Sequence, residues 1–319
     1  MNTIVTLPGT KTENIVLSAS ASKLSTEHDH LEEIRQSTIN LTPDKRKEYV
    51  STITIPYPKF TQAIDLMESY YHQSGHKDPG GVCIYGDSGM GKSYIVTHFM
   101  MKHESIVSDE KTTIPILYLK LNAAMAPSDL LKALLTILGN PFTQNKSNTE
   151  LTEDLTEGIK QREVKVIVFD EANAFGEGTG NSRPAFIGNA LKRVHDDTGV
   201  PQIYLGVDKD LKRFFSLAQQ LEERITSIHE LTPFEYDNNF IGFLKAFDCA
   251  LPMLNQANLA ENYSKKIHTA TNGNLRKIRR LLAYAVLYAA SDNAPALTDK
   301  YFTQAYLHVF GTGENPFAD

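Results

Sequence analysis

The segment that most constrains the fold is Gly-Asp-Ser-Gly-Met-Gly-Lys-Ser at residues 86–93, which follows an apolar run and precedes a helical pattern beginning at Tyr94. Its three glycines let backbone N–H groups turn inward around a phosphate. Lys92 supplies a cation, the Ser93 hydroxyl can reach magnesium, and the helix N-terminus adds partial positive charge. The pattern predicts a strand, a phosphate loop and a helix, and the alternative is an ordinary glycine turn with a surface lysine. The predicted nucleotide-binding residues are Gly86, Asp87, Ser88, Gly89, Met90, Gly91, Lys92, Ser93 and Tyr94.

A second signal lies about 80 residues further on, where the apolar run 164–169 leads directly into Asp170 and Glu171. A nearly continuous apolar run is typical of a parallel strand that is covered on both faces. Asp170 at its end can hold magnesium through water, and Glu171 can polarise the water that attacks a terminal phosphate. Alone, such a pair is more often an acidic turn at a helix start. After a phosphate loop, it predicts a site for ATP and Mg²⁺ with catalytic Glu171 and Lys92.

Bulk properties limit the function without deciding it. The net charge of −6 and the pI near 5.9 mean that any nucleic-acid contact must come from a local patch. The two cysteines, Cys83 and Cys249, lie in apolar stretches and favour a reducing cytoplasm over a zinc site. We expect no signal peptide and no membrane span, because the longest apolar run, 281–290, is about half of the roughly 20 residues required.

Strand patterns alternate with helix patterns up to Pro233, and helix patterns follow. This order predicts an α/β fold with a doubly wound, parallel, five-stranded sheet and a small all-helical lid. The predicted domains are a partly flexible arm at 1–54, the nucleotide-binding domain at 55–234, the lid at 235–310 and a flexible tail at 311–319. The arm is interpreted as a solvated tail or a docking segment for a neighbouring subunit or another protein.

Apolar periodicity and capping residues give the individual elements. Strands are predicted at 82–85, 114–119, 164–169, 200–205 and 225–231. Helices are predicted at 60–71, 94–103, 128–138, 151–161, 184–197, 209–217, 236–247, 258–271, 275–290 and 298–310. Ser128 is the expected N-cap of its helix, and Asn272-Gly273 is expected to end a helix. Asp208 is interpreted as the N-cap of helix 209–217 or as a polar sensor of the terminal phosphate.

Together these motifs resemble the AAA+ ATPases and, within them, the TniB/TnsC transposition regulators. The matching segments lie between about residues 55 and 310: Gly86–Ser93, Val166–Glu171, Leu205-Gly206, Glu223-Arg224-Ile225 before Leu231–Phe234, and Thr271–Arg276. The sequence departs from the family pattern at Gly206-Val207-Asp208, where an Asn, Ser or Thr sensor is usual.

The resemblance implies roles for further residues, each beside a simpler alternative. Arg276 would reach the nucleotide phosphates as the second sensor, or is a solvated charge. Arg224, with Arg213 as the fallback, would complete the ATP site of an adjacent subunit and stabilise transition-state charge, or forms a surface salt bridge. Asn122 would hold Glu171 away from water until a ligand arrives, or packs at a strand end.

The resemblance also implies partners. Family members assemble as rings or helical filaments around double-stranded DNA and grip its backbone without sequence preference. Candidate DNA contacts are Lys132, Lys146, Ser147 and Asn148, with Lys192 and Arg193 as another option. The implied function is a bacterial, cytoplasmic, nucleoid-associated regulator that links a target-selection protein to transposase subunits. Two alternatives are a replication initiator or helicase loader, and a nucleotide-switched module that does not hydrolyse ATP.

Overall fold

The computed structural model describes residues 35–76, 79–107, 112–121, 125–141, 143–177, 180 and 182–318. The chain divides into two compact units. One is Gln62–Thr232, and the other combines the described residues 35–61 with 233–318. The division therefore differs from the expected separate arm at 1–54, since residues 35–61 fold with the helical part. Residues 1–34 of that arm lie outside the described residues.

The α/β unit is built on five parallel strands. They are β1 (Gly81–Gly86), β4 (Ile116–Lys120), β5 (Val166–Asp170), β6 (Gln202–Gly206) and β7 (Ile225–Leu231), and the short β2 (Ile106–Val107) and β3 (Thr112–Thr113) form a separate antiparallel pair. The order across the large sheet is β4-β5-β6-β1-β7. The predicted parallel five-stranded fold is confirmed.

Helices connect these strands. They are α2 (Pro58–His72, which crosses the division between the units), α3 (Lys92–Lys102), α4 (Pro127–Ile137), α5 (Asn148–Gln161), α6 (Ser182–Thr198), α7 (Asp208–Leu217) and α8 (Gln219–Glu222). All five residues of β5 are buried, as a strand that is covered on both faces requires. The strand register aligns Cys83 and Phe169 with Tyr204, and these three side chains join the main apolar core. Residues in register share a face, so Ile84, Val168 and Asp170 lie on the opposite face.

Two expected N-cap residues are wrong. Ser128 is not an N-cap, because α4 begins at Pro127 and Ala126 is its N-cap residue. Proline favours the first helical position and extended backbone before it, so the helix starts at Pro127, ahead of Ser128. Asp208 is likewise inside α7, whose N-cap residue is Val207. Ser147 does cap α5 and forms a capping box with Glu150, which extends that helix ahead of its predicted start at 151.

The second unit is helical. It contains α1 (Pro43–Thr52), α9 (Asn238–Ala250), a single wide turn at Leu259–Tyr263, α10 (Ser264–Thr271), α11 (Leu275–Ser291) and α12 (Asp299–Phe310). Helix α1 packs against α11, where Arg279 Nη1 donates to Ser51 O at 3.2 Å. Asn272 and Gly273 adopt positive φ after α10, so the predicted helix end is confirmed.

The C-terminal residues pack where we expected a flexible tail. The Phe317 side chain is 1% exposed, and its ring stacks on Phe302 at a centroid distance of 5.0 Å. Thr303 Oγ1 also donates to Phe317 O at 3.0 Å. Residues 311–318 therefore form part of the helical unit. Across the described chain, every helix is too short or too polar to cross a bilayer.

Candidate nucleotide-binding site

The phosphate loop joins β1 to α3. Gly89 and Gly91 have φ of 89° and 94°, a left-handed conformation that favours glycine and turns successive N–H groups to one side. Gly91 is also the N-cap residue of α3, so the loop ends on a helix N-terminus. Gly86 allows close approach of β7, because a Cβ there would lie 2.4 Å from Leu231 O. The loop thus has the backbone shape of an anion cradle.

Lys92 lies in the first turn of α3 with only 7% of its surface exposed. Its Nζ donates to Gly86 O at 2.6 Å and to Asp87 O at 3.1 Å. The ammonium group is therefore held against the loop itself, while the neighbouring Ser93 is exposed. Together they provide the cation and the hydroxyl that phosphate and magnesium binding require.

The acidic pair lies at the carboxyl end of β5. Asp170 is 1% exposed, and its Oδ1 accepts the Glu171 N–H at 2.9 Å. Its Oδ2 accepts the Tyr118 hydroxyl at 3.2 Å. Parallel strands end at the same edge of a sheet, so this carboxylate and the end of β1 lie at one edge. Buried carboxylate oxygens at this position fit a hard divalent cation such as Mg²⁺.

Glu171 has an unusual backbone. Its φ of 55° and ψ of 37° are left-handed, and it precedes the tight turn Ala172–Phe175. Such strain is uncommon for a residue with a side chain and concentrates at functional sites. Among the described residues, none donates a hydrogen bond to its carboxylate, which is partly exposed. Glu171 can therefore accept a proton or orient water. Asn122, its expected partner, lies outside the described residues.

Two arginines donate hydrogen bonds to the turn that follows Asp170 and Glu171. One of them, Arg183, was not among the residues predicted from the sequence. Arg183, at the start of α6, donates to four backbone carbonyls, those of Met125, Ala174, Phe175 and Glu177. Arg213 donates to Gly176 O. Arg213, the fallback for the subunit-bridging arginine, is thus engaged within its own chain. Nothing in the local pattern marks Arg183, because its partners are main-chain carbonyls, which any residue supplies.

The remaining predicted site residues are Arg224, Arg276 and Asp208. Arg224 pairs with Asp196 across 3.1 Å, and Arg276 is exposed near the start of α11 in the helical unit. Asp208 pairs with Lys212 across 2.8 Å. The cap interpretation of Asp208 is wrong, and its sensor role, like the roles of Arg224 and Arg276, stays a prediction.

Three of the four cationic residues among the expected DNA contacts form ion pairs within the chain. Lys146, Lys192 and Arg193 pair with carboxylates, whereas the structure shows no ion pair for Lys132 within the described residues. Asn148 is the first residue of α5, and Ser147 is its N-cap. Lys132 on α4 is therefore the cation of this set with the fewest competing partners.

Comparison with known families decides the classification. The family described as bacterial TniB protein matches residues 47–236, a span that contains the phosphate loop, the acidic pair and all five strands. The chain belongs to the bacterial TniB family. No curated protein sequence matches this TniB-family chain.

Solved structures are similar to the TniB-family chain in fold. Aeropyrum pernix ORC2 with ADPNP and ADP is 15% identical, with 79% of this chain and 68% of that chain covered and a TM-score of 0.59. Cdc6p from Pyrobaculum aerophilum is 16% identical over 82% and 70%, with a TM-score of 0.54. A. pernix ORC1 in complex with DNA is 13% identical over 79% and 64%, with a TM-score of 0.55. The expected AAA+ fold and TniB/TnsC-type membership are confirmed.

Proposed function

We propose that this TniB-family protein is an ATPase that regulates DNA transposition. In this proposal it assembles on double-stranded DNA with ATP, links a target-selection protein to transposase subunits, and disassembles on hydrolysis. The observation that carries the proposal is the family match at 47–236, which includes both a shaped phosphate loop and the strained Glu171 beside buried Asp170.

The residues divide the chemistry among them. Backbone N–H groups of the loop and the Lys92 ammonium bind the phosphates, and Lys92 exchanges its carbonyl partners for phosphate oxygens. Ser93 and Asp170 would hold Mg²⁺, which when bound neutralises charge on the phosphate oxygens. Glu171 orients the attacking water and accepts its proton. The buried β5 fixes Asp170, while the tight turn after it aims Glu171.

The decisive test is phosphate release with and without duplex DNA. We expect DNA to stimulate hydrolysis, and Glu171→Gln to lower turnover by about 100-fold or more while ATP still binds. Glu177→Gln is the matched control, because its exposed carboxylate accepts a hydrogen bond from Asn173, four residues earlier in the chain, and the substitution should leave turnover unchanged. An unchanged rate for Glu171→Gln would remove it as the base, and ATP binding without any turnover would favour the nucleotide-switched module.

DNA contact is proposed through the backbone, with Lys132 as the first residue to test. Replacing one phosphate-contacting lysine should weaken binding for all sequences and reduce the slope of log affinity against log salt by about 1. We expect this of Lys132→Ala and not of Lys160→Ala, an exposed lysine at the end of α5. Equal salt slopes for the two variants would place the DNA contact elsewhere.

Assembly of several copies is part of the proposal. Arg224 would complete the pocket of an adjacent subunit, and Arg276 would contact the nucleotide phosphates. Many copies on one duplex also multiply weak backbone contacts. Electron microscopy with an ATP analogue should show rings or filaments that depend on DNA. Dispersed particles under both conditions would count against assembly.

A replication-initiator or helicase-loader role is the second candidate, because the ORC2 and Cdc6p structures share this fold. Similarity at 15–16% identity shows the fold alone, whereas the TniB match covers the whole α/β unit. Co-purification with a replicative helicase in place of a transposase would reverse the ranking.

A further inference from the structure

Tyr118 contacts the acidic pair from the neighbouring strand. In the β4–β5 register Tyr118 is opposite Val168 and Lys120 is opposite Asp170, so Tyr118 and Asp170 share a face of the sheet on a diagonal. The Tyr118 hydroxyl donates to Asp170 Oδ2 at 3.2 Å. This contact joins two strands whose residues are 52 positions apart in the sequence.

A tyrosine hydroxyl carries one proton and can therefore donate one hydrogen bond. Here it donates that bond to Asp170 Oδ2, across the pairing of β4 with β5.

Both oxygens of the Asp170 carboxylate are consequently occupied by donors. Oδ1 accepts the Glu171 N–H at 2.9 Å, and the Tyr118 bond to Oδ2 adds a second restraint on rotation of the carboxylate. We propose that Tyr118 is a positioning residue that orients the Asp170 carboxylate for magnesium, an inference that rests on the proposed nucleotide-binding function. Partners behind a metal ligand fix its orientation, and their loss typically reduces metal affinity about 10–100-fold.

The alternative is that Tyr118 serves only to pack the sheet. Tyr118→Phe separates the two interpretations because it keeps the ring and removes the hydroxyl. Tyr85→Phe is the matched control: Tyr85 aligns with Gly206 in the β1–β6 pairing and packs against the main apolar core, on the face opposite Asp170.

The experiment is a Mg²⁺ titration of a fluorescent ADP analogue bound to each purified protein. For Tyr118→Phe we expect the midpoint to rise about tenfold over wild type, with binding in EDTA unchanged and Tyr85→Phe at the wild-type midpoint. In combination with Asp170→Asn, Tyr118→Phe should add no further shift, because the orientation it controls no longer matters.

Each outcome has one meaning. A wild-type midpoint for Tyr118→Phe, in a protein with a wild-type urea transition, would overturn the positioning role and leave the proposed function standing. A shift in EDTA as large as the shift in Mg²⁺ would assign Tyr118 to general packing of the pocket and also overturn it. Wild-type protein that binds no nucleotide would instead defeat the proposed function, and the inference with it.

Discussion

Arg224 Nε lies 3.1 Å from Asp196 Oδ1 of the same chain. Asp196 also accepts a hydrogen bond from Lys192 Nζ at 2.8 Å. Burial raises the pKa of Asp196, but these two cations outweigh it and lower the pKa below its usual value, so the carboxylate stays charged. In the proposed assembly Arg224 would leave this partner to reach a neighbour's pocket, and Asp196 would then compete with assembly.

Neutralising Asp196 should therefore favour the active assembly. An exposed ion pair contributes about 0–1 kcal/mol, so we expect Asp196→Asn to raise hydrolysis at low protein concentration by roughly twofold to fivefold. Asp197→Asn is the control, because Asp197 pairs with Arg193 on the same helix and not with Arg224. Phosphate release measured against protein concentration checks this. Equal curves for both variants would show that Asp196 does not restrain Arg224.

Removing the Lys92 ammonium should reduce nucleotide affinity. A hydrogen bond to a charged group contributes about 1.5–3 kcal/mol, so Lys92→Ala should bind a fluorescent ADP at least tenfold more weakly. Lys102→Ala, which removes an exposed partner of Glu68 from the other end of α3, should bind like wild type. A Lys92 variant with unaltered affinity would exclude this loop as the phosphate site.

Gly86→Ala should destabilise the α/β unit. Its Cβ would lie 2.4 Å from Leu231 O, a backbone atom of β7 that cannot move without disturbing the sheet. Overpacking of this kind typically costs about 1–3 kcal/mol in the free energy of unfolding. Gly180→Ala is the control, because its Cβ would meet nothing within 4 Å. Urea unfolding checks both, and an unchanged midpoint for Gly86→Ala would mean that β1 and β7 are further apart than described.

Phe317→Ala should destabilise the helical unit. The buried ring stacks on Phe302, and truncating a buried phenylalanine typically costs about 3–5 kcal/mol. Leu254→Ala should have little effect because that side chain is 58% exposed. Thermal unfolding of the two variants decides whether residues 311–318 are structural, and equal melting temperatures would restore the flexible tail.

The parts of the site that depend on local pattern were predictable from the sequence. The phosphate loop and the acidic pair follow from a glycine spacing and an apolar strand, and both lie where expected. The parallel sheet follows from the alternation of strands and helices. The wrong N-cap at Ser128 also has a local cause. Pro127 favours the first helical position, and this preference outweighs the capping tendency of Ser128.

The parts that depend on distant contacts were not predictable. Tyr118 reaches Asp170 only through the pairing of β4 with β5, and Arg183 donates to Met125 O, which lies 58 residues earlier in the chain. Residues 43–52 are mostly polar, with Tyr49 and Val50 buried, so the pattern indicated a solvated arm and not a helix packed on α11. These features depend on contacts between separate segments of the chain. The apolar periodicity of one segment does not predict such contacts.

A mixing experiment tests the central claim most directly, namely that one ATP site is completed by two copies of the chain. Glu171→Gln and Arg224→Ala should each bind nucleotide and hydrolyse little ATP alone. Mixed in equal amounts, they should regain about a quarter of wild-type turnover, because a head-to-tail contact then pairs an intact Glu171 with an intact Arg224 at that frequency. Two nucleotide-binding variants that stay inactive together, or an Arg224→Ala protein with full activity alone, would contradict the shared site.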